Sequence, residues 1–276
     1  MYPAVFGKTY PATSASAVLD AVAADGFCGV QFNLVSAGVA SLPNHLPDGL
    51  AEAVEKHARE KQLRIAALSG TYNMAHPDAS VRDTSRRGFA NVIEAARRMG
   101  SPVVTLCTGS RDRSDMWKYH PENLSAAAWK DLRSELDLAL ELAEQAGIAL
   151  GIEPEPGNVI RDARTAARLL TEVDSPHLGI VLDAANLLSA ALLTQQDDVM
   201  AEAVGLLGEK VLLAHAKDIA SDGRVVAAGA GAVHLGVFVK LLRSAGFDGA
   251  LIGHGFGPEK GPFVSTTLAA LIREHA

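Results

Sequence analysis

Eight short apolar runs punctuate the chain, at residues 5–9, 29–34, 64–70, 103–108, 148–153, 178–183, 211–215 and 249–254. Each has the length of a strand, is built of β-branched or other apolar residues, and is followed by a stretch with helical spacing. The clearest of these helical stretches cover 79–99, 124–145 and 233–245, where Ala, Leu, Glu and Arg recur at helical intervals and Gly100, Gly147 and Gly246 close the pattern. Strand–helix alternation predicts a parallel sheet, and a count of eight units predicts that it closes. The expected fold class is therefore α/β, a (β/α)8 or TIM barrel.

Length supports one such unit. The chain has 276 residues, near the roughly 250 typical of the barrel, so a single domain over 1–276 is expected. No Gly/Ser/Pro-rich linker divides it and no short motif repeats. A formal net charge of −7 runs against nucleic-acid binding, which needs a basic stripe, and points to small-solute partners. Cys28, at the edge of the second run, and Cys107, inside the fourth, are expected to be buried small hydrophobes of a reducing compartment. Met1-Tyr2-Pro3 opens no charged leader, and no stretch of about 20 apolar residues occurs, so no membrane span and a cytoplasmic location are expected. Barrel helices carry apolar outer residues whether or not they pair, which leaves a homo-oligomer open.

The chemistry sits where four consecutive runs end. Residues 151–158 read Gly-Ile-Glu-Pro-Glu-Pro-Gly-Asn, bringing Glu153 and Glu155 out of an apolar run into a proline-kinked loop. The next runs end on Asp183, on His215 followed by Lys217 and Asp218, and on His254. A (β/α)8 barrel assembles its active site at these C-terminal strand ends. Side chains alternate in and out, so one oxygen each of Glu153 and Asp183 and one ring nitrogen of His215 can converge on a point. That donor set suits a divalent cation such as Mn²⁺, Co²⁺, Mg²⁺ or Zn²⁺. Plainer roles stay open: Glu153 capping its loop, Asp183 capping a helix near Ala184, His215 as a satisfied core histidine. The coincidence of all three at successive strand ends favours the metal.

Residues 151–158, the Val181-Leu182-Asp183-Ala184-Ala185-Asn186-Leu187 run, His215-Ala216-Lys217-Asp218 and the pair Gly229/Gly231 resemble the sugar phosphate isomerase/epimerase family of xylose-isomerase-like TIM barrels. Residues 69–78 and 105–112, with Trp117, His120 and Asn123 after them, fit as well, so the resemblance covers nearly the whole chain. It implies one divalent metal held by Glu, Asp, His and a last Glu from strands five to eight, of which Glu153, Asp183 and His215 are the first three. At the last position the chain carries His254, with Glu259 as the competitor. Two carboxylates and two neutral imidazoles cancel the charge of a dication, where three carboxylates would leave one negative charge. Such a site is a better Lewis acid and favours Mn, Co, Fe or Zn over Mg. Several relatives carry histidine where this chain has Asn186, which hydrogen-bonds sugar hydroxyls but is a poor transition-metal ligand. A trinuclear zinc cluster, and with it DNA repair, is not expected.

Other polar residues are candidates for holding substrate. Glu155 and Asn158 lie in the loop after strand five, although the flanking prolines equally suggest a rigid turn. Lys217 faces the same way as His215 if its strand continues, to hold a carboxylate, phosphate or enolate, or else to pair with Asp218 or Glu153. His76, Arg111, Trp117 and His120 follow strands three and four; Trp117 is a sugar-facing wall or a hydrophobic plug. Gly229 and Gly231 lack the strand–helix context of a dinucleotide fingerprint and are expected to form a bend near the pocket. The resulting expectation is a metal-dependent isomerase or epimerase of a sugar or keto-polyol, working through an enediolate with Glu153 as base and His254 as fourth ligand or partner acid. A lyase using the same enolate, like inosose dehydratases, and a catalytically lapsed sugar- or metal-binding barrel are the alternatives.

Overall fold

A parallel strand buries both faces, and in this protein the two faces feed two separate cores. The computed structural model describes residues 1–11 and 14–275. Its strands are β1 (Tyr2–Phe6), β2 (Gly29–Phe32), β3 (Arg64–Ser69), β4 (Val103–Leu106), β5 (Ala149–Ile152), β6 (Leu178–Asp183), β7 (Val211–Ala216), the hairpin β8 (Asp218–Ile219) and β9 (Val225–Val226), and β10 (Ala250–Gly253). All but the hairpin pair in parallel as one closed ring, in which β10 lies between β7 and β1. Around it run α1 (Ala15–Ala24), α2 (Leu50–Glu60), α3 (Ala79–Arg98), α4 (Ala126–Ala146), α5 (Ala163–Val173), α6 (Gln196–Leu207), α7 (Leu235–Ser244) and α8 (Gly261–Glu274). This is a single-domain (β/α)8 barrel.

Outward-facing Val30, Phe32, Leu68, Val104, Leu106, Leu150, Ile152, Ile180, Leu182 and Leu251 join the core shared with the helices. Inward-facing Ala4, Ala67, Val103, Val181, Leu213 and Ile252 form a smaller core inside the ring. Two residues further along each strand direction, the inward positions become Ser69, Thr105, Asp183, His215 and His254, joined by Gln31 and Glu153. The alternation that fills the barrel thus ends in a polar layer at its C-terminal mouth.

Several boundaries differ from the sequence reading. The first strand is Tyr2–Phe6, and Gly7–Thr9 form a 3₁₀ turn, because Lys8 and Thr9 cannot extend the apolar run into the barrel wall. The fourth helix starts at Ala126, where Ser125 Oγ accepts the Ala128 N–H at 3.1 Å. Cys28 precedes β2 and is exposed, which corrects the expectation of burial; Cys107 follows β4 and is buried.

The β8–β9 hairpin was not anticipated, and Asp218 explains it. Its Oδ1 accepts the N–H groups of Ile219 and Val233 at 2.8 and 3.0 Å, and its Oδ2 those of Gly229 and Gly231 at 3.0 and 2.9 Å. A Cβ on Gly231 would stand 2.2 Å from Asp218 Oδ1 and 2.5 Å from the Ile219 carbonyl oxygen. The glycine pair therefore belongs to this clamp. Asp218→Ala leaves two buried and two part-buried N–H groups without an acceptor, at about 1–3 kcal/mol for each one that finds no water. We expect a loss of at least about 3 kcal/mol, read as a fall in melting temperature of roughly 6 °C or more. A fall below about 2 °C in thermal denaturation would contradict the clamp.

Candidate metal centre

Asp183 and His215 are partners in the β6–β7 register, just above a one-residue shift between Ile180 and Val181. Glu153 follows the last residue of β5, and its N–H donates to the Leu106 carbonyl at 2.8 Å. His254 follows β10. Side-chain donor atoms of Glu153, Asp183, His215 and His254 all lie within 4.8 Å of one another. His215 Nδ1 is 3.2 Å from Glu153 Oε1 and 3.9 Å from Asp183 Oδ2, and His254 Nε2 is 3.9 Å from the same Asp183 oxygen. The two imidazoles meet edge to face at 5.1 Å, and Phe6 packs on His254 at 5.6 Å.

The two oxygens of Asp183 have different fates. Oδ1 accepts the Ala185 N–H at 2.9 Å, capping the short turn after β6. Oδ2 is buried with no hydrogen-bond donor aligned on it, although Lys217 Nζ stands 3.0 Å away. That ammonium lies off the lone-pair direction, so it supplies charge without satisfying the oxygen. An orphaned buried carboxylate oxygen beside a second carboxylate and two imidazole nitrogens fits a divalent cation in donor chemistry.

The ionisable groups here strongly perturb one another. Burial pushes the Asp183 carboxyl up despite Lys217. Burial also opposes ionisation of Glu153, but His215, Lys217 and His254 outweigh it and bring the group down to about 2. Burial, with the charges of Glu153 and Asp183, pushes Glu155 up to about 7. His215 is lowered by burial but raised further by Glu153 and Asp183. Burial and the neighbouring cations lower His254 to about 3, so it is a neutral imidazole at pH 7. Lys217 is buried yet held above its ordinary range by Asp183, Glu153 and Glu155. With Lys217 protonated and both imidazoles neutral, one dication balances the three carboxylates.

A cleft of about 310 Å³ opens above the four residues, walled by Phe6, Met116 and Trp117 and lined by Lys8, Asn33, Ser69, Thr71, Thr105, Cys107 and Glu155. Lys217 reaches Asn186 Oδ1 at 2.6 Å and Glu155 at 3.7 Å. Asn186 Nδ2 donates to Glu153 Oε1 at 3.0 Å. Among the residues expected to bind substrate, Glu155 and Trp117 line the cleft, whereas Asn186 and Lys217 lie outside its lining and contact Glu153 and Asp183.

The other four are engaged elsewhere, with backbone groups and, for Arg111, also a carboxylate. Asn158 is fully buried and joins the Gly109 N–H to the Met116 carbonyl. His76 Nδ1 accepts the Asp78 N–H at 3.1 Å, while its Nε2 faces the Arg113 carbonyl. Arg111 pairs with Asp131 at 2.6 Å and with the Ala75 carbonyl, and His120 Nδ1 accepts the Glu122 N–H. None of the four lines the cleft, because a polar side chain in a loop first satisfies the loop's own amides. Glu259 is exposed on the turn before α8 and is not part of the four-residue cluster. The residues that sequence reasoning missed are Gln31, Ser69 and Thr105, polar residues at inward positions of otherwise apolar strands. Period-two spacing was the available signal.

A family model described as xylose isomerase-like TIM barrel matches residues 19–274. No match to a curated protein was found. Similar solved structures include a D-tagatose 3-epimerase-like protein, at 18% identity and TM-score 0.77 over 100% of this chain and 98% of that one. The 3-keto-D-glucoside 4-epimerase YcjR from E. coli has 17% identity and TM-score 0.77 over 98% of each chain. The IOLI protein with a bound zinc atom has 15% identity and TM-score 0.76 over 100% of this chain and 99% of that one. At these identities the likeness is one of fold.

Proposed function

Since the chain belongs to the xylose isomerase-like TIM barrel family, we propose that it is a divalent-metal-dependent isomerase or epimerase of a sugar or keto-polyol. The observation that carries this reading is the convergence of Glu153, Asp183, His215 and His254 on one point beside the unsatisfied Asp183 Oδ2. Two carboxylate and two imidazole donors favour Mn, Co, Fe or Zn over Mg. When bound, the ion supplies Lewis-acid stabilisation of the oxyanion that forms when a carbon-bound proton is removed beside a carbonyl.

The remaining work falls to the chain. Glu153 Oε1 accepts from Asn186 and faces His215 Nδ1 at the metal site, while Oε2 has only the Cys107 thiol at 3.9 Å and is the oxygen free to take a proton. Glu155 faces the substrate from the cleft lining, Asn186 and Lys217 position the two acids, and Trp117 and Phe6 wall off the cleft. The volume suits a monosaccharide-sized molecule.

Purified protein is expected to carry one divalent ion per chain. At about 100 times its dissociation constant a ligand stabilises the native state by roughly 2.7 kcal/mol, so adding Mn²⁺, Co²⁺ or Zn²⁺ to chelator-stripped protein should raise the melting temperature by roughly 5–10 °C. No bound metal and no thermal shift would reject the centre. With metal bound, deuterium from D₂O should enter a ketose, an inosose or hydroxypyruvate at carbon. Loss of water from the substrate would indicate a lyase, and metal binding without exchange or water loss would reject the enzyme reading.

A further inference from the structure

Below the four converging residues lies a polar chain that proton transfer does not use. Gln31, 4% exposed, is an inward residue of β2, and the β2–β3 register slips by one residue between Val30 and Gln31 so that Gln31 pairs with Ala67. Such shifts re-aim a side chain next to a site. Gln31 Oε1 lies 2.7 Å from His215 Nε2, on the edge of the ring turned away from the carboxylates. Its amide nitrogen donates to Ser69 Oγ on β3 and to Thr105 Oγ1 on β4, each at 3.1 Å. These two bonds turn the amide nitrogen towards the hydroxyls and its oxygen towards the imidazole.

An amide oxygen only accepts, so Nε2 of His215 must carry the hydrogen in this contact. In a neutral imidazole the lone pair then sits on Nδ1, the nitrogen that faces Glu153 and Asp183. We propose that Gln31, oriented by Ser69 and Thr105, is a positioning residue that fixes the ring and tautomer of His215 and leaves Nδ1 to bind the metal. This rests on the metal-dependent reading above. Outer partners of ligating histidines commonly hold the ring this way. The partner here is a neutral amide, so it orients the imidazole without the added basicity that a carboxylate would give it.

The test is metal affinity, with Zn²⁺ and Mn²⁺ titrated calorimetrically into metal-stripped protein. Gln31→Leu, which keeps the bulk but accepts no hydrogen bond, should weaken binding by about 10–100-fold. Gln31→Glu restores the acceptor and should bind at least as tightly as wild type. Thr105→Val removes one hydroxyl that orients the amide and leaves His215 untouched. It should weaken binding by about 3–10-fold, at the low end of such effects, and keeps the test open if the leucine variant does not fold. Wild-type affinity in Gln31→Leu, or in Thr105→Val where the leucine variant does not fold, would overturn the role of Gln31 alone. So would a Gln31→Glu protein as weak as the leucine variant, since packing and not hydrogen-bond acceptance would then be at stake. Absence of metal binding by wild type would overturn the proposed function together with this one.

Discussion

Glu153→Gln is expected to lower exchange of the substrate's carbon-bound proton with solvent by about 10²–10⁴-fold, the usual contribution of a positioned general base. The amide keeps the volume and one coordinating oxygen, and that oxygen can still accept from Asn186 as Glu153 Oε1 does. What it loses is the second oxygen, which in the native protein faces only the Cys107 thiol. An amide nitrogen there cannot take a proton at any working pH. Proton NMR in D₂O reads the exchange, and unchanged thermal denaturation and metal content separate this loss from misfolding or an empty centre. Retention of more than about a tenth of wild-type exchange would refute Glu153 as the base.

The barrel and its reacting end were legible because both depend on repeating local rules. Eight apolar runs with helical stretches between them admit few other arrangements, and ionisable residues at the ends of four consecutive runs are conspicuous. What escaped was the neutral polar half of the same layer. Gln31, Ser69 and Thr105 are single polar residues inside short apolar strands. Their significance appears only when inward positions of neighbouring strands are read at one height across the barrel. Loop residues were misleading in the opposite way. Asn158 and Arg111 carry attractive side chains in loops beside the site, yet their partners are a Met116 carbonyl and the Asp131 carboxylate, distant in sequence. Asp183 shows why competing plain and functional readings can both hold. One of its oxygens caps a turn and the other faces the site.

Lys217→Met should destabilise the metal-free protein by about 3–5 kcal/mol, the cost of leaving buried charge without its partner. Lys217 is buried, with Asp183, Glu155 and Glu153 at 3.0, 3.7 and 4.0 Å. Without it the acids lose the ammonium beside them, so their carboxyls shift further upward than burial already drives Asp183 and Glu155. An acid whose folded-state value lies above its unfolded one binds protons preferentially in the fold, and its contribution to stability falls as pH rises between the two. The deficit of Lys217→Met should therefore be small near pH 4, grow as pH rises towards the value of about 7 that Glu155 has even with Lys217 present, and be largest above it. Metal supplies the missing positive charge, so the metal-induced rise in melting temperature should be larger in the variant than in wild type. Thermal denaturation from pH 4 to 8, with chelator and with Zn²⁺, measures both effects. A deficit that is independent of pH, or one that metal does not reduce, would mean that Lys217 is held by packing and Asn186, and that the carboxylates do not depend on it for charge.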